Sequence, residues 1–287
     1  MPTDHRTELK PGNAARRHWR TAAQARTPLA LLYLHGFSAS PGEAGTLPEQ
    51  MADVLEANCY VHRWPRHGHS AADAMQGLTT AALQASAVKA LVQAQRMGER
   101  VAIVGSSMGG TLGLWLAAQH PAHIAAVVAW SPGVQPANPG FLDRLCAAEV
   151  PVADPYPRTA AALAYWSDTI HPDGFRALRG LFHAVTAAPP WPQVRCPVLL
   201  GYYRAPNGDE DQIASVPAML AMFEALGTPP SHRQAMAFDA GAHAIGSPHK
   251  TPLADHVAQV SVEFLRTQVG APPGDARHGE ASSASKR

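Results

Sequence analysis

Four apolar runs, LALLYLHG (29–36), ERVAIVGS (99–106), IAAVVAW (124–130) and CPVLLGYY (196–203), constrain the fold more than any other feature of the chain. Each lacks the polar alternation of a half-exposed strand, so each suits a strand buried on both faces. A further strand is predicted over CYVHRW (59–64) and another over QAMAFD (234–239). Longer helical patterns separate them: 46–58, 79–98, 108–120, 215–227 and 252–268. Thr46 precedes Glu49 by three residues, the spacing of a capping box, with Met51, Val54 and Leu55 following on one face, and Gly98 is placed to close the helix before it. Strands alternating with helices predict an α/β fold, a mostly parallel central sheet with helices on both faces.

The alternation breaks between Ser131 and Pro192. This stretch is rich in proline and carries Phe141, Tyr165, Trp166, Phe175, Phe182 and Trp191, so it is neither a plain linker nor a regular βα unit. It is expected to be an inserted lid at 131–192, dividing a core of 28–130 and 193–270. Its aromatics either face a substrate or form the lid's own core. Residues 1–27 are polar and expected to be partly loose. The tail 271–287 is small, polar and charged, which predicts disorder because it cannot bury enough apolar surface to offset its ordering entropy.

Composition narrows the function. With 287 residues, 23 Lys plus Arg against 22 Asp plus Glu and a formal charge of +1, there is no basic footprint for nucleic acid and none for an anionic membrane. No run of about 20 apolar residues predicts a membrane span, and the N-terminal stretch lacks the apolar core of a signal peptide. Cys59, Cys146 and Cys196 are far apart, without the spacing of a disulfide framework or a zinc site. A cytoplasmic protein acting on a small molecule, without metal or organic cofactor, is the expectation; the oligomeric state is not legible.

The chemistry centres on AIVGSSMGGTLGLW (102–115), where Gly105, Ser107 and Gly109 form G-x-S-x-G between a strand and a helix. In that pattern a strained turn presents the serine while the two glycines let the flanking backbones approach closely. Ser106 would need glycine at 104 and 108, where Val104 and Met108 stand, so Ser107 is the candidate nucleophile. A serine hydroxyl needs a base, and the base needs an orienting acid, in the chain order Ser, acid, His. Among 15 histidines, His243 in FDAGAHAIGSP (238–248) lies between the last strand and the last helix. The acid is expected after the preceding strand, in GYYRAPNGDEDQIAS (201–215): Asp211 is favoured, with Asp209 the alternative. The oxyanion donors are expected to be the N–H groups of Met108 and of Phe37, the latter in LHGFSASPGE (34–43). His35 reads as a buried loop organiser, and His67 and His69 as lacking the further ligands a metal would need.

Together LHGFSASPGE, RHGHS, VGSSMGG, DEDQI and AGAHAIGSP resemble the α/β-hydrolase superfamily, in particular its bacterial carboxylesterases and monoacylglycerol-lipase-like members, over residues 28–268. RHGHS stands where such relatives often have a Pro-Gly-His-Gly loop. The resemblance implies Ser107 as nucleophile, His243 as base, Asp211 as acid, and the Phe37 and Met108 amides as oxyanion donors. The acid loop is lengthened by RAPNGDE and the lid matches no relative, so Asp211 and the substrate are the open points. The expected activity is hydrolysis of a carboxylic ester or thioester through an acyl-enzyme. The same residues would also suit an amide or lactone hydrolase or an acyltransferase, and a non-catalytic ligand-binding protein on this fold is the alternative of a different class.

Overall fold

A computed structural model describes residues 8–154 and 158–269. The predicted disordered tail therefore lies outside the described residues. Seven strands form one sheet in the order β1-β3-β2-β4-β5-β8-β9. They are β1 (Arg16–His18), β2 (Thr27–Leu34), β3 (Asn58–Val61), β4 (Gly98–Ser106), β5 (Ile124–Trp130), β8 (Val198–Tyr203) and β9 (Arg233–Phe238). All pairings are parallel except that of β1 with β3.

Successive residues of a strand point to opposite faces, and here both faces are covered. Along β2, Ala30, Leu32 and Leu34 enter one core, while Leu31 and Tyr33 enter the other. The first core is shared with α2 (Thr80–Gln95) and α3 (Met108–Gln119), the second with α1 (Leu47–Val54) and α8 (Ala254–Val269). Burial on both sides explains the unbroken apolar runs. The remaining sheet-domain helix, α7 (Val216–Glu224), follows β8.

Residues between β5 and β8 lie outside this sheet. They form α4 (Pro139–Ala147), the two-residue strands β6 (Val152–Ala153) and β7 (Thr169–Ile170) paired antiparallel, α5 (Ala160–Leu163) and α6 (Pro172–Ala187). The stretch between β5 and β8, where the alternation breaks, is thus mainly helical.

Three local expectations need correction. Thr46 makes no side-chain cap: its Oγ1 accepts from Gln50 Nε2 at 3.0 Å, and Glu49 is drawn away to Arg16 Nε at 2.7 Å. Val54 is exposed, so only Met51 and Leu55 of the expected apolar face pack inward. Gly98 does not close α2, whose last residue is Gln95; it opens β4, where a Cβ would come within 2.4 Å of the Ala30 nitrogen. Part of the polar N-terminal segment is ordered as β1, held by Arg16 to Glu49 and to the Gly45 carbonyl.

Candidate active site

The direction of chain progression reverses between β2 and β4: β3 lies on one side of β2 and β4 on the other. In open parallel sheets, ligands bind at such a switch point, outside the carboxyl ends of the strands. The loop after β2 carries Gly36 and Phe37, and the turn after β4 carries Ser107. Asp211 follows β8 and His243 follows β9.

Ser107 occupies the turn from β4 into α3 with φ 50° and ψ −118°, a conformation unfavourable for a residue with a Cβ. Its N–H donates to the Trp130 carbonyl at 2.8 Å, and its own carbonyl accepts from Gly133 at 3.2 Å. Both glycines of the motif are sterically required. A Cβ on Gly105 would lie 2.5 Å from the Gly109 backbone, and one on Gly109 would lie 2.0 Å from the Leu34 carbonyl oxygen. The two serines are separated in role by direction: the buried Ser106 hydroxyl donates to Glu43 at 3.2 Å, whereas Ser107 borders a cavity of about 420 Å³.

His243 borders the same cavity. Its Nδ1 lies 2.5 Å from Asp211 Oδ2, which assigns the Nδ1 proton to that bond and leaves Nε2 as the acceptor in the neutral ring. Nε2 is buried and has no hydrogen-bond partner among the described residues. Asp211 Oδ1 accepts from the amides of Ile213 at 2.8 Å and Ala214 at 3.1 Å, which fixes the carboxylate. Burial alone would raise the Asp211 pKa; the His243 charge, its hydrogen bond and the two amides outweigh that and hold it below the ordinary value. Burial likewise opposes protonation of His243, but the Asp211 charge and hydrogen bond, then Glu43, raise its pKa. The alternative acid, Asp209, is exposed and turns to Asn207 Nδ2 at 2.8 Å, and Glu210 pairs with Arg204. Of the acidic trio, Asp211 is the one that reaches His243.

The amides of Phe37 and Met108 start the loop after β2 and the helix α3. Neither donates a hydrogen bond to an acceptor among the described residues, and an N–H at the first turn of a helix has no partner within the helix. His35 is fully buried: Nδ1 donates to the Gly36 carbonyl at 2.8 Å, and Nε2 accepts from Trp64 N–H at 3.2 Å. Burial and the neighbouring His67 push its pKa well down, so it is a neutral organiser of the loop. No group of three or more His, Cys, Asp or Glu residues suited to a metal occurs among the described residues.

Sequence reasoning missed Glu43. Its side chain is buried at the cavity wall and accepts from Gly36 N–H at 2.7 Å and Tyr33 hydroxyl at 3.2 Å, besides Ser106. It therefore ties the backbone of the loop after β2 to the residue preceding Ser107. Burial raises its pKa despite those donors and the His243 charge. The available signal was a lone acid in SASPGEAG, a stretch otherwise made of small residues and proline.

A family model described as the alpha/beta hydrolase family matches residues 31–261. The chain belongs to the alpha/beta hydrolase family. Solved structures agree on the fold. One from LipS and LipT, two metagenome-derived lipolytic enzymes, aligns with a TM-score of 0.74 at 17% identity, covering 91% of this chain and 100% of that one. The monoacylglycerol lipase of Paleococcus ferrophilus aligns at 0.66 and 17% identity, covering 91% and 99%. Est1E from Butyrivibrio proteoclasticus, with ferulic acid bound, aligns at 0.62 and 14% identity, covering 89% and 95%. A sequence comparison with curated proteins finds no match. In this member of the family half of the residues lining the cavity lie between β5 and β8. Phe141, Trp166, Phe175 and Phe182 face the cavity, whereas Tyr165 packs on His249 and Trp191 sits in the core.

Proposed function

We propose that this chain is a serine hydrolase that cleaves a carboxylic ester through an acyl-enzyme, using Ser107, His243 and Asp211. The observation that carries the reading is the His243 ring: Asp211 holds Nδ1, Nε2 is buried and unpartnered among the described residues, and the residue borders the same cavity as Ser107. A base held in this way is poised to take a proton from a hydroxyl.

In the first half-reaction, Ser107 Oγ attacks the ester carbonyl as His243 Nε2 accepts its proton. The negative charge that develops on the carbonyl oxygen is stabilised by the Phe37 and Met108 N–H groups, which need no reorganisation because the loop and helix already fix them. Asp211 stabilises the imidazolium that forms. Collapse of the intermediate breaks the ester C–O bond, and the imidazolium returns its proton to the leaving alkoxide. Water then attacks the acyl-enzyme with His243 again as base, releasing the acid and restoring Ser107.

The structural neighbours support ester chemistry, since those whose activity is stated are lipolytic enzymes and a monoacylglycerol lipase. The insertion at 131–192 is read as the lid, because α4 and α6 supply apolar side chains to the cavity that Ser107 borders. Steady-state hydrolysis of acetyl to octanoyl esters tests the reading. Ser107→Ala and His243→Ala are expected to lose about 10³-fold or more in kcat, with Asp211→Asn losing less than either. Undiminished hydrolysis by Ser107→Ala would overturn it.

A further inference from the structure

The apolar wall of the cavity, built from side chains such as Phe141, Phe175 and Phe182, explains room for a hydrocarbon chain but leaves the opposite character of the remaining wall unexplained. There Trp166, almost fully buried, has two cations against its ring. Arg158 Cζ is 5.3 Å from its ring centroid and Lys250 Nζ is 5.4 Å from it. All three residues border the cavity that Ser107 borders.

The two cations are not equivalent. The Arg158 guanidinium is engaged: Nε and Nη2 both donate to Asp154 Oδ2, and Nη2 also donates to Ser38 Oγ at 3.2 Å. Its charge is therefore matched by a carboxylate, and it braces the insertion against the oxyanion loop. The Lys250 ammonium has three donors and no hydrogen-bond acceptor among the described residues; it lies against the Trp166 ring. Burial and the Arg158 charge lower its pKa, while Asp154 and Glu43 oppose that.

We propose that the substrate ester carries a carboxylate, received by the Lys250 ammonium at the Trp166 wall, while its hydrocarbon part lies against the apolar wall. This deepens, and rests on, the ester-hydrolase reading. A carboxylate is preferred to a phosphate on charge. Lys250 has no hydrogen-bonded acid among the described residues, and the Asp154 and Glu43 carboxylates in the same wall would repel a dianion. Trp166 contributes by flanking the ammonium with its ring, which strengthens the interaction as water is excluded.

The test compares two isosteric pairs: monomethyl adipate against methyl hexanoate, with the charge on the acyl side, and the acetate ester of a hydroxybutanoate against butyl acetate, with the charge on the alcohol side. The readout is the ratio of kcat/KM within each pair, which cancels any general loss of activity. The unmodified protein is expected to favour the anionic member of one pair by about tenfold or more, the size of a charge-assisted hydrogen bond in a partly dry site. Lys250→Met should bring that ratio towards one, and Lys250→Arg should retain part of it. Turnover of all four esters without anionic preference, or a preference unchanged in Lys250→Met, would overturn the assignment to Lys250. Absence of turnover for every ester would overturn the ester-hydrolase reading itself.

Discussion

At the scale of single residues, the geometry of Ser107 carries a stability consequence distinct from its chemistry. Its φ of 50° with ψ −118° suits glycine, so removal of the hydroxyl and removal of the Cβ are expected to diverge. Ser107→Gly should be more stable than Ser107→Ala by about 1 kcal/mol in urea unfolding, although both are inactive. Equal stability of the two would contradict a strained elbow. Glu43 belongs to the same scale. Its charge raises the His243 pKa, and in the proposed mechanism His243 must be neutral to act as a base, so activity is expected to rise with pH through that pKa. Glu43→Gln is therefore expected to shift the acid limb of kcat/KM to lower pH and to lower kcat several-fold by loosening Gly36, with a pH–rate profile as the check. The placement of Ser107 after β4 and of Phe37 after β2 was legible because each stands in a contiguous motif. Glu43 was not, because its donors Tyr33, Gly36 and Ser106 are brought together only by the pairing of β2 with β4.

At the scale of elements, the turn from β4 to α3 is the critical joint. The helix begins so close to β2 that Gly109 touches the Leu34 carbonyl, leaving no space for a methyl group. Gly109→Ala is expected to cost about 3 kcal/mol or to prevent folding, because the obstruction is backbone that cannot move aside. A normal midpoint in urea would show that α3 can shift. The long buried strands and their helices were readable for a physical reason: double-sided burial demands an unbroken apolar run. β1 was not, since an edge strand of Arg16, Arg17 and His18 has one partner and much solvent, and nothing in those residues distinguishes it from a loop. The cap expected at Thr46 failed for a related reason, as Glu49 found a partner 33 residues away in Arg16. The pair β6 and β7 is two residues long, too short for any periodicity.

At the scale of the whole molecule, the site is assembled from both sides of the insertion. Ser107 and Phe37 come from strands before it, Asp211 and His243 from strands after it, and the two halves are joined by the parallel pairing of β5 with β8 in the interior of one sheet. Trp130 at the end of β5 reinforces the junction, with its indole N–H donating to Ser261 of α8 at 3.0 Å. Unfolding followed by tryptophan fluorescence and by loss of activity is therefore expected to give coincident transitions. Activity lost well before fluorescence would show the insertion melting apart from the sheet. The proposed chemistry depends on one activated serine. Labelling of the folded protein with a fluorophosphonate, followed by mass spectrometry of the adduct, tests this without any assumption about the substrate. A single adduct on Ser107, abolished in Ser107→Ala, is the predicted result; no adduct on the folded protein, or one that persists in the variant, would contradict it.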